Sequence, residues 1–188
     1  MENKIKKIIE ESILVKEKLL ENSLKNISQI AELCIRTLKN GGKIILCGNG
    51  GSAADSQHLA AELVVRFKKD RKSLPAIALT TNTSIITAIG NDYGYDRIFE
   101  RQLESTANKN DILIAISTSG KAKNVVEAVK KAKEIGIKTI ALTGQNGKEF
   151  AKSCDVPLIV PSSDTARIQE AHICIGHILC ELIEDNLC

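Results

Sequence analysis

From residue 43 onward, short apolar runs alternate with longer amphipathic ones. That alternation restricts the fold more than any other property of the chain. The apolar runs are residues 43–47, 76–79, 112–116, 139–142 and 156–160, each four or five residues long and, Lys43 apart, without charge. Segments of helical character fill the intervals at 53–68, 84–89, 95–106, 121–135, 148–152 and 165–184. Short strands that are apolar throughout, each followed by a helix, imply an α/β fold. The expected architecture is a three-layer sandwich in which helices cover both faces of a mainly parallel five-stranded sheet. Ahead of the first strand, residues 2–39 also have helical period, with Ile5, Ile8, Ile9, Leu19 and Leu20 among the apolar positions. A break at Asn22–Ser23 divides this stretch into two helices, and Gly41-Gly42 ends the second. At 188 residues, without a linker, internal repeat or low-complexity tract, the chain reads as one domain, 1–188, with an N-terminal helical segment at 1–40.

Ligands of such sheets bind outside the carboxyl ends of the strands. There the chain carries Gly48-Asn49-Gly50-Gly51-Ser52, Thr80-Thr81-Asn82, Ser117-Thr118-Ser119-Gly120 and Thr143-Gly144. Small hydroxyl, amide and glycine groups at four strand ends suit a polyhydroxylated, phosphorylated small molecule. Glycines in the first of these turns let the backbone approach a ligand closely, and the free N–H groups of a helix start favour an anion. The same reasoning applies to Ser117-Thr118-Ser119-Gly120, although Ser and Thr also cap helices for purely structural reasons. On the helix that follows Gly51, His58 and Glu62 stand at i and i+4 and so share a face. Asp55 and Arg66 fall on that polar side, while Ala53, Ala60, Leu63, Val64 and Phe67 form the expected core side. His177 lies in a segment apolar nearly all round, so it is either a satisfied core histidine or a site residue. Gln169 precedes it by two turns, roughly 12 Å along a regular helix.

Other classes are disfavoured. A net charge of +3, five aromatic residues and no Trp give neither an electrostatic footprint nor a stacking platform for nucleic acid. The basic run at 66–72, interrupted by Asp70, reads as a solvated loop. No Walker pattern or GxGxxG occurs. The six cysteines lack paired spacing and mostly sit in apolar segments, as free thiols of a cytoplasmic protein would. There is no signal-peptide core and no run long enough to span a bilayer, so no membrane association is expected.

Five motifs occur in order: Cys47-Gly48-Asn49-Gly50-Gly51-Ser52, the His58/Glu62 pair, Ala88-Ile89-Gly90-Asn91-Asp92-Tyr93-Gly94, Ser117-Thr118-Ser119-Gly120, and Thr165-Ala166-Arg167-Ile168-Gln169-Glu170 followed by His177. Together they resemble the phosphoheptose isomerases of the sugar-isomerase (SIS) superfamily, over nearly the whole chain. The resemblance implies a Rossmann-like SIS domain and conversion of sedoheptulose 7-phosphate into D-glycero-D-manno-heptose 7-phosphate, toward ADP-heptose for lipopolysaccharide and other surface glycans. It also implies a homotetramer with sites at subunit interfaces. The family's zinc site, one ion per subunit, carries over onto His58, Glu62, Gln169 and His177. Its sugar-phosphate contacts carry over onto Asn49, Gly50, Gly51, Ser52, Glu62, Asn91, Asp92, Ser117, Thr118, Ser119 and Gln169. Two positions depart from the pattern. Ala122, flanked by Lys121 and Lys123, stands where many relatives have Ser, and Ala166 replaces an acidic residue seen in some members.

Aldose–ketose isomerisation through an enediol needs a base and a proton shuttle. The expected catalytic pair is Glu62, taking the carbon-bound proton, and His177, handling protons on the sugar oxygens. Two rivals share the scaffold: the initiator-associating proteins that hold the replication initiator DnaA, and SIS isomerases of other sugar phosphates. Retention of both Glu62 and His177 favours the enzyme over the first, and the full motif set argues against the second.

Overall fold

The computed structural model describes all 188 residues. Two helices, α1 (Glu2–Asn22) and α2 (Leu24–Lys39), precede β1 (Ile44–Gly48) and α3 (Gly51–Val64). β2 (Ala76–Ala78) leads to α4 (Thr83–Asp92), a 3-10 turn at Tyr95–Arg97 and α5 (Glu100–Thr106). Then come β3 (Ile112–Ser117), α6 (Lys123–Ile135), β4 (Lys138–Gly144), α7 (Lys148–Lys152), β5 (Val156–Val160) and α8 (Thr165–Leu187). The strand order is β2-β1-β3-β4-β5, and every neighbouring pair is parallel. The sheet is thus wholly parallel, where the sequence reading allowed a mixed one.

Alternate residues of each strand enter two separate cores. Ile44, Leu46, Ile112, Ile114, Ile116, Ile140, Leu142 and Leu158 pack under α1, α2, α3 and α8. Ile45, Cys47, Leu113, Ala115 and Ala141 face the other way, against Phe99 and Leu103 of the α5 region, Val125 and Val129 of α6, and Phe150 of α7. Burial on both sides explains why these strands are apolar without alternation. The chain runs outward from β1 to β2, then crosses back over β1 to β3. The direction of winding reverses between β1 and β3, which opens a crevice at their carboxyl ends.

At several points the local structure departs from the hydrophobic pattern. α3 stops at Val64, short of residue 68, because the guanidinium of Arg71 takes the carbonyls of Glu62 and Leu63 in its last turn. Phe67 therefore lies in the following segment, still packed against the first core. Val64, expected inside, is 41% exposed, and Leu59 occupies the core side instead. Arg71 belongs to the run read as solvated, yet its side chain is only 4% exposed. The segment 95–106 splits into the 3-10 turn and α5. All six cysteines are free, and no helix is long and apolar enough to cross a membrane.

Candidate active site

The switch-point crevice is lined by two turns that end in helix starts. After β1, Gly50 adopts φ 55°, and a side chain on Gly48 would run into Ser52. Only glycine lets the strand turn this tightly into α3. After β3, Gly120 adopts φ 67° and the Ser117 hydroxyl accepts its N–H. The Thr143 hydroxyl donates to the Ser117 carbonyl at 2.6 Å, and the Gly144 N–H donates to that of Thr118 at 3.0 Å, so β4 braces this loop from below. The helices at the carboxyl edge are capped unequally. Asn82 and Asp164 cap α4 and α8 with their side chains. α3 and α6 start at Gly50 and Ala122 without a side-chain cap. The N–H groups of Gly51 in α3 and of Lys123 and Asn124 in α6 are left for another acceptor, and both helix starts sit at the reversal between β1 and β3.

A residue the sequence reading passed over joins the two turns. Asn124, buried in the first turn of α6, exchanges two amide hydrogen bonds of 2.8 and 3.0 Å with Asn49. Tyr95 Oη adds a third bond, to Asn49 Oδ1. An Asn four residues past a Ser-Thr-Ser-Gly turn on a helix's buried side is the only signal that could have marked it.

α3 and α8 cross where Leu59 packs onto Gly176, whose missing side chain leaves the room: a Cβ there would come within 2.5 Å of Leu59. The next residues along each helix, His58 and His177, consequently meet. Their Nε2 atoms are 3.0 Å apart, and Glu62 Oε1 is 3.3 Å from His58 Nε2. One donor atom from each of His58, Glu62 and His177 lies within 4.8 Å of the others. Two imidazole nitrogens and a carboxylate oxygen are a zinc donor set. Bonds of about 2.0–2.2 Å in tetrahedral arrangement would set neighbouring donors roughly 3.3 Å apart, close to the spacing of His58 from His177 and from Glu62. Phe67 covers one side of the His177 ring at a centroid distance of 5.5 Å. Asp55 lies near both imidazoles. Burial raises its carboxyl above the ordinary value, the two rings pull it back, and Oδ2 has no partner.

None of the remaining candidates is hydrogen-bonded to this cluster. The Gln169 amide lies against Gly51 at the head of α3. α8 is continuous from Thr165 to Leu187, so Gln169 stands two turns from His177 on an unbroken helix. Ser52 and Ser117 are buried, Thr118 is half-buried, and Ser119 is exposed. Asn91 and Asp92 end α4, exposed and hydrogen-bonded to each other, with no bond to the cluster.

A family model described as the SIS domain matches residues 9–144. A phosphoheptose isomerase of Clostridium acetobutylicum is 57% identical over 189 residues, covering 100% of this chain and 96% of the relative. One from Aquifex aeolicus is 53% identical, with 100% and 98% covered. Among solved structures, the phosphoheptose isomerase of Neisseria gonorrhoeae superposes with a TM-score of 0.93 at 45% identity, covering 98% of both chains. With likeness of this degree along the full length, in sequence and in fold, the chain belongs to the SIS-domain family of phosphoheptose isomerases.

Proposed function

We propose that the chain interconverts sedoheptulose 7-phosphate and D-glycero-D-manno-heptose 7-phosphate in the cytoplasm, feeding heptose toward surface glycans. One observation carries the reading: Glu62 and His177, 115 positions apart in the chain, converge with His58 where α3 and α8 cross, on the helix whose uncapped start opens at the switch point. The turns at Asn49–Ser52 and Ser117–Ser119 receive the phosphate and hydroxyls, with Gln169 at the head of α3. Glu62 takes the proton from C1 as His177 gives one to O2, forming an enediol. Return of the proton from Glu62 to C2, with loss of the O1 proton to His177, yields the aldose. A carboxylate has two oxygens, so one can face the imidazoles while the other faces the C–H bond. His58, Glu62 and His177 would hold one zinc ion per subunit, and Gln169, two turns from His177 on an unbroken α8, would join the set from a different subunit. When bound, the metal polarises the sugar carbonyl or orders its hydroxyls.

The working molecule is a homotetramer in which residues 1–40 pack subunits together and α4 of a neighbour brings Asn91 and Asp92 to the site. The test is incubation of purified protein with sedoheptulose 7-phosphate, with and without chelator, followed by aldose detection. Wild-type protein turns over. Glu62→Gln and His177→Gln stay folded and lose at least about 10²-fold in kcat. Near-wild-type turnover in either variant removes its catalytic role, and an inert wild-type protein removes the activity.

A further inference from the structure

The ion pair with the most completely buried side chains in this molecule lies just beyond the candidate site. Glu184 sits seven residues after His177, hence on the same face of α8 two turns on. Its carboxylate is 2% exposed and accepts the N–H groups of Phe67, Lys68 and Lys69 at 3.0, 2.7 and 2.9 Å. Arg71 Nε adds a fourth bond at 3.0 Å. Burial alone would raise the Glu184 carboxyl, but these donors outweigh it and hold the pKa down to about 2. The rest of the guanidinium turns toward α3. Nη1 donates to Leu63 O at 2.7 Å, and Nη2 donates to Glu62 O at 2.9 Å.

We propose that Arg71 and Glu184 are positioning residues: together they clamp the last turn of α3 to α8 and thereby hold the Glu62, His58 and His177 side chains in register. This rests on the function proposed above and adds to it the device that sets the geometry. Two anchors fix the helix pair. Leu59 on Gly176 sets their closest approach, and the Arg71–Glu184 clamp sets the rotation of the end that carries Glu62. The same carboxylate pins the Phe67 backbone, so the ring stays against His177. A fork of five donors suits this task because one side chain reaches a carboxylate and two helix carbonyls at once. Lysine cannot do so.

The clamp acts at the end of α3 remote from the glycine turn. Its loss should therefore disturb metal binding and proton transfer while sparing the phosphate grip. The experiment measures zinc affinity by chelator competition on metal-free protein, together with kcat, KM and melting temperature. Arg71→Met removes the guanidinium. Arg71→Lys keeps a cation beside Glu184 and gives up the carbonyl bonds, and so remains folded if Arg71→Met does not. Ile137→Ala, in the other core just ahead of β4, controls for lost stability. The clamp variants are expected to weaken zinc binding about 10–100-fold, as loss of groups that orient metal ligands does. Their kcat falls at least tenfold and KM changes less than about threefold, whereas Ile137→Ala melts earlier with zinc affinity and kcat unchanged. Wild-type zinc affinity and kcat in folded Arg71→Lys overturn the clamp alone. A wild-type protein that binds no zinc and isomerises nothing overturns the clamp and the parent reading together.

Discussion

His172 is 1% exposed, and neither ring nitrogen has a hydrogen-bond partner. Burial pushes its pKa down to about 4, against a weaker opposing pull from the Thr143 backbone. The folded ring is neutral where the unfolded one, with a pKa of 6.5, already takes up a proton. Its stability contribution is intact above pH 6.5 and declines as pH falls toward 4, by about 3 kcal/mol in all. His172→Leu should flatten that part of the pH–stability curve, measured by denaturant unfolding between pH 7 and pH 4, at little cost at pH 7. An unchanged slope would assign the acid sensitivity to another group. His58 and Glu62 were legible as a pair because a four-residue spacing after a glycine turn is a local property. Asn124, Arg71 and Glu184 were not. An Asn, an Arg in a basic run and a Glu near a chain end look solvated until the fold reveals which N–H groups and carbonyls they must satisfy.

Among the elements, the strands and helices could be read from hydrophobic pattern, since burial on both sides makes a parallel strand apolar throughout. Their order in the sheet could not, because it depends on which side of β1 the chain returns to. The end of α3 falls short of the pattern for a related reason: the periodicity continues to Phe67, but Arg71 claims the carbonyls that another turn would need. The α3–α8 crossing depends on Gly176. Gly176→Ala improves helix propensity by about 1 kcal/mol, yet its Cβ would lie 2.5 Å from Leu59, so the helices must separate. Overpacking a core typically costs about 1–3 kcal/mol. The expected variant melts at or below the wild-type temperature, and its zinc affinity falls more than its stability does. Leu59→Ala should restore part of that affinity in the double variant, because the two side chains compete for one space. Additive losses in the double variant would argue that Gly176 matters only to α8.

A parallel sheet with helices on both faces accounts for most of this chain's apolar residues, but not for those of α1. Val15 and Leu19 are buried, whereas Ile5, Ile9, Ile13 and Leu20, grouped on one side, remain 49%, 54%, 49% and 64% exposed. A stripe of this extent on a single helix is more than a lone subunit would ordinarily leave in water. α4 shows the same shortage from the other direction: it has no buried residue, although it carries Asn91 and Asp92. Closed symmetry among identical subunits can remedy both, covering α1 and delivering α4 to a neighbouring crevice. Ile5→Lys/Ile9→Lys places two charges in the stripe without entering either core. Sedimentation should show the proposed wild-type assembly replaced by smaller species, circular dichroism should show the subunit still helical, and turnover should fall with the loss of assembly. A fully active monomer would mean that Asn91 and Asp92 are dispensable and that each crevice is complete within its own chain.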